Sequence, residues 1–134
     1  MIEDQNRQSQ SPPEKDRGLE RVARRLHVIF SELGASIEGQ DSKGRAAALA
    51  QLRATPLPEL RVAVSRAAFL VRRDVSTAEG WCRQEELDGL DGPDSLGSWA
   101  LRCSQRSLMI AETLAQATEN DIRAVHAAHL IGRW

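Results

Sequence analysis

The sequence predicts an all-α protein, a compact bundle of five to six helices with a flexible N-terminal tail. Three observations lead there. Among 134 residues there are 18 Ala and 15 Leu against 7 Val and 6 Ile, and aromatic residues are only 4%. Ala and Leu are strong helix formers, whereas strands favour β-branched and aromatic side chains. Apolar residues also recur at i, i+3, i+4 and i+7 in separate stretches, each bounded by capping or breaking residues.

Residues 1–10 hold almost nothing to bury and read as a flexible tail; 11–134 read as one helical domain. Ser11, Pro12, Pro13 and Glu14 form a capping box with a proline start. The first helix is expected over 12–33. Leu19, Val22, Ala23, Leu26, Ile29, Phe30 and Leu33 fill one face, and Gly34 reads as the stop. A shorter helix is expected over 43–54 with Ala46, Leu49, Ala50 and Leu52 inward. After the Thr55-Pro56-Leu57-Pro58 turn, a third is expected over 56–73. Its main stripe is Leu57, Leu60, Val64, Ala67, Ala68 and Val71, with Val62 and Phe69 almost opposite.

Ser76-Thr77-Ala78-Glu79 is a second capping box and predicts a fourth helix to residue 88, carrying Ala78, Trp81, Cys82 and Leu87. Residues 88–97 are too rich in Gly, Pro and Asp to continue it. The fifth helix is expected over 99–118. Its wide apolar arc, from Trp99 and Cys103 through Ile110 and Leu114 to Leu108 and Leu101, marks it as the most buried. A last helix carries Ile122, Val125, His126, His129 and Leu130 towards Trp134.

Composition bounds the function. The apolar share of 41% suffices for a core, and 2 Cys give no disulfide framework. No apolar run approaches the roughly 18 residues that a membrane span needs. The polar N-terminus shows no secretory signal, so a cytoplasmic location with reduced thiols is expected. The net charge of -1 argues against wholesale electrostatic binding to nucleic acid.

No motif specifies a chemistry. His126 and His129 are three apart, but no acid shares their face and the two Cys lack ligand spacing; a helix-packing pair is favoured over a metal site. Asp88, Asp91 and Asp94 are spaced by three, without the alternation or closing Glu of a calcium loop, and read as a solvated turn. There is no nucleophile elbow and no phosphate loop. Cys82 and Cys103 read as small core residues. No enzyme activity, cofactor or metal is expected.

Two surpluses remain. Arg17, Arg21, Arg24 and Arg25 line the outer face of the first helix, and Arg61, Arg66, Arg72 and Arg73 decorate the third. Arg suits phosphate, so RNA or DNA binding through Arg17, Arg21, Arg24, Arg25, Arg61 and Arg72 is the alternative. Interleaved acids and the lack of aromatics between the arginines favour pairing with surface carboxylates instead. A helix-turn-helix across residues 55–58 fits only in outline, because Val62 and Phe69 ill suit a water-facing recognition helix. The second surplus is apolar: a third helix greasy on two sides is either central or shared with a partner. The leading expectation is therefore a small regulatory or accessory protein that binds an unidentified protein partner and itself. The homodimer interface would be Val62, Phe69, Arg66 and Arg73.

Overall fold

A computed structural model describes residues 14–54 and 60–116. Among these the protein is all-helical, with four helices: α1 (Glu14–Glu38), α2 (Ser42–Arg53), α3 (Leu60–Asp88) and α4 (Leu96–Gln116). The tail expected over 1–10, the turn at 55–59, and the last helix with its two histidines lie outside the described residues.

The core is a three-helix arrangement of α1, α3 and α4, with α2 laid mainly against α1. Leu26, Ile29, Phe30 and Leu33 of α1 are fully buried, as the periodicity of the first helix requires. They meet Val64, Ala67, Ala68 and Val71 from α3 and Ile110, Ala111 and Leu114 from α4. Burial of each large aliphatic or aromatic side chain contributes roughly 1.5–3 kcal/mol. The abundance of Ala on α3 keeps its inner face low, so that the larger side chains of α1 and α4 can close over it.

Gly34 does not end α1. It lies inside the helix where α1 crosses α4, and a Cβ there would strike the Cys103 carbonyl oxygen and the Ser107 hydroxyl. The missing side chain serves close packing rather than a left-handed cap. The helix stops one turn later. Asp41 N–H donates to the Ser36 carbonyl (2.8 Å) and Gln40 N–H to the Ile37 carbonyl (3.2 Å), a Schellman closure. The left-handed residue it needs is Gln40, at φ 54°. Asp41 then turns at once into the N-cap of α2, its Oδ1 accepting from Gly44 N–H at 3.0 Å.

On α2 the inward residues are Ala48 and Leu52; Leu49 is half-buried, while Ala46 and Ala50 face solvent. Docking by a single narrow edge explains why only one of the four expected side chains is fully covered.

The third and fourth expected helices are one continuous helix, α3. The capping box at residues 76–79 is not used: Thr77 donates its hydroxyl to the Arg73 carbonyl (3.0 Å), one turn back. No Gly or Pro lies between Leu60 and Thr77 to break the helix, and Ala78 extends its buried face. A capping residue ends a helix only where the backbone has reason to leave it. α3 ends in a second Schellman closure, Leu90 N–H to the Glu85 carbonyl (2.8 Å), here with Gly89 in the left-handed position (φ 71°).

α4 starts at Leu96, earlier than expected, because Ser95 caps it: Ser98 N–H donates to Ser95 Oγ (3.1 Å). Glu85 of α3 reaches across and accepts from Gly97 N–H (2.9 Å) and Ser95 Oγ (2.9 Å). A carboxylate is thereby placed on the positive end of α4. α4 is not the most buried helix. Trp99 is exposed at the edge of its arc and Leu101, Cys103 and Leu108 are half-buried, whereas Ala23, Leu26, Ile29, Phe30 and Leu33 of α1 are fully buried.

Candidate interaction surface

α3 turns Val64, Ala67 and Val71 inward, and helical geometry then sends Val62 and Phe69 outward. Val62 is 58% exposed and Phe69 47%. Arg66, one turn from Phe69, lays its guanidinium over the ring, 5.5 Å from the centroid. The same group donates to both oxygens of Glu20 on α1, at 3.2 and 3.4 Å. Arg66 is thus a clasp between the two helices as well as a neighbour of Phe69. Arg73 stands exposed further along and makes no ion pair with another described residue. The stripe continues through Ser76 and Gly80 to Leu87, 82% exposed, instead of ending at residue 73.

The arginines divide into two groups. On α3, Arg66 is held by Glu20, and Arg72 approaches Glu112 of α4 at 3.7 Å. On α1, Arg21, Arg24 and Arg25 project into solvent; Arg24 lies 3.9 Å from Glu20. The side chains of Arg17 and Arg61 lie outside the described part. The two rows form no single basic face among the described residues, because Glu20 sits between them and binds from both sides.

Packing also assembles a polar cleft that spacing did not reveal. His27 Nε2 and Asp74 Oδ2 meet at 2.6 Å between α1 and α3. Beside them, Ser31, Asp74, Ala100, Cys103, Ser104 and Ser107 line a cleft of about 180 Å³. The residue types resemble a nucleophile with its base and orienting acid, but the bonding does not. Ser31, Ser104 and Ser107 each donate their hydroxyl to a backbone carbonyl of their own helix. Burial pushes the Cys103 thiol above its ordinary range, Glu38 adds to that, and Arg102 opposes it. An activated thiolate needs the reverse. The cleft ties three helices together, and among the described residues the His27 ring bonds to Asp74 and to no hydroxyl or thiol of the cleft. His27 and Asp74 are 47 residues apart, so only the helix crossing could expose the pair.

Trp81 is 53% exposed rather than turned inward. With Leu96, 74% exposed, it borders a shallow apolar hollow of about 240 Å³ where α3 meets the start of α4. Cys82 and Cys103 are free and half-buried. Asp88, expected in a turn, is the last residue of α3 and accepts from the Gln84 amide one turn back (3.1 and 3.2 Å). Among the described residues no cluster of three His, Cys, Asp or Glu could hold a metal ion, and no helix is long and apolar enough to cross a membrane. No protein-family model, curated protein or solved structure matches the chain.

Proposed function

We propose that this is a small non-enzymatic regulatory or accessory protein that works by binding protein, itself included, through the outer face of α3. The observation that carries the reading is the pair Val62 and Phe69, both large, apolar and exposed on the side of α3 turned away from its own core. An apolar stripe rimmed by arginines has the composition of a binding patch, in which aromatic residues and Arg are enriched. The reading includes a cytoplasmic setting, where Cys82 and Cys103 stay as thiols.

Light scattering at tens of micromolar tests it. The wild type is expected to run as a dimer and Phe69→Asp as a folded monomer, since Phe69 is not part of the core. A monomeric wild type overturns the self-association.

Nucleic-acid binding is the second reading. It is favoured by the exposed heads of Arg21, Arg24 and Arg25 on α1, of which Arg21 and Arg25 have no ion pair with a described residue. Its signature is affinity that falls steeply with salt and disappears when these three arginines become Glu.

A further inference from the structure

The exposed stripe of α3 is a seam with a repeat. Val62, Phe69 and Leu87 are its large apolar members. Arg66, Arg73 and Arg83 stand between them, and Ser76 and Gly80 fill the remaining places. From 62 to 87 these positions follow one another in alternating steps of four and three. A 3.5-residue repeat keeps one line of side chains turned towards a neighbouring helix, which is the spacing of paired helices. The line runs for about 38 Å and faces away from Val64, Ala67 and Val71. Every member is exposed except Gly80, which is half-buried.

The charge on this seam has one sign. At about 100° per residue, the acids of α3, Asp74, Glu79, Glu85, Glu86 and Asp88, fall a quarter turn or more away from it. Arg66 is held by Glu20 of α1. Arg73 and Arg83 make no ion pair with another described residue. The Arg83 guanidinium lies along the seam, its Nη2 3.8 Å from where a Cβ on Gly80 would stand.

Resting on the interaction reading above, we propose that the seam is covered by an acidic amphipathic helix of another protein. Its apolar side chains seat on Val62, Phe69 and Leu87, and its carboxylates meet Arg73 and Arg83. Arginine suits this role because its planar fork binds a carboxylate through two parallel hydrogen bonds. A second copy of this chain is the poorer occupant. Laid antiparallel it sets Arg66 against Arg83, and laid parallel it sets each arginine beside itself, and like charges that face each other repel. The acidic helix therefore binds more tightly than the chain binds itself, and displaces it. A phosphate backbone would answer the arginines but give Val62, Phe69 and Leu87 nothing to pack on.

The test uses the full chain and two labelled synthetic helices of about 30 residues, long enough to span the seam. One alternates Leu and Glu at steps of four and three; in the other Lys replaces Glu. Fluorescence anisotropy is expected to show the Glu helix bound about tenfold or more tighter than the Lys helix. Arg73→Glu combined with Arg83→Glu inverts that preference, with an unchanged Tm because both side chains are exposed. Phe69→Asp weakens the binding of both helices. Equal binding of the two helices, binding of neither, or a preference that the double reversal leaves unchanged overturns the acidic occupant. Self-association that Phe69→Asp abolishes then leaves the interaction reading standing. A wild-type monomer that binds neither helix, or one that binds RNA instead and loses it on the double reversal, overturns both.

Discussion

His27 of α1 and Asp74 of α3 meet at 2.6 Å, and with Arg66 on Glu20 they form two polar links along the same helix pair. The side chains of His27 and Asp74 are 29% and 43% exposed, so water screens the link. A double-mutant cycle with His27→Ala and Asp74→Ala is expected to give a coupling of about 0.5–1 kcal/mol by urea unfolding. Additive single effects would show that the pair contributes no more than its packing.

Gly34 faces the backbone of α4 at Cys103 and Ser107, the latter with its amide nitrogen 3.0 Å from where a Cβ would stand. Gly34→Ala therefore pushes two helices apart instead of gaining helix propensity. A loss of about 1–3 kcal/mol is expected, read as a lower Tm. A gain would show that α1 and α4 can separate at little cost.

The two Schellman closures make an internal comparison, Gln40 at one and Gly89 at the other. A side chain in the left-handed region costs about 1–2 kcal/mol. Gln40→Gly is expected to stabilise by up to about 1 kcal/mol, and Gly89→Ala to destabilise by a similar amount. Chemical denaturation of both variants beside the wild type measures this.

Burial holds the Cys103 thiol in its protonated form, with Glu38 acting in the same direction. A raised folded-state pKa means that the folded chain binds this proton more tightly than the unfolded one. Its stabilisation is complete below the unfolded thiol pKa of about 8.5 and is lost as pH rises towards the folded value. Stability should therefore fall above that pH in the wild type and fall less in Cys103→Ser. The absence of Tyr removes one other source of alkaline titration. Alkylation of Cys103 at pH 7.5 should also be slower than that of an unhindered thiol.

Much of the fold was legible in the sequence. The face of α1 from Ala23 to Leu33, the inner stripe of α3 and the outward position of Val62 and Phe69 all follow from period 3.6, because one long helix can bury only one side. The errors came where one residue type serves two physical ends. Gly34 could stop a helix or admit a neighbour, and only the approach of α4 decides. Ser76 and Thr77 could cap or sit inside a helix, and the continuous buried face through Ala78 decides. The merger of two expected helices had the larger effect on the site. Read separately, residues 56–73 and 76–88 hide the continuation of the exposed stripe to Leu87. His27 with Asp74 and Glu85 on α4 were out of reach, since each joins helices that only packing brings together.

The attachment of α2 has a consequence for how the molecule opens. It is capped by Asp41 at its start and places Ala48, Leu52 and the half-buried Leu49 on the core, mainly against α1, whereas α1, α3 and α4 each pack on two others. Amide protons of α2 should exchange with solvent through a sub-global opening well below the free energy of complete unfolding. The first cooperative unit to come away is then a twelve-residue flap, leaving the three-helix body and the outer face of α3 in place.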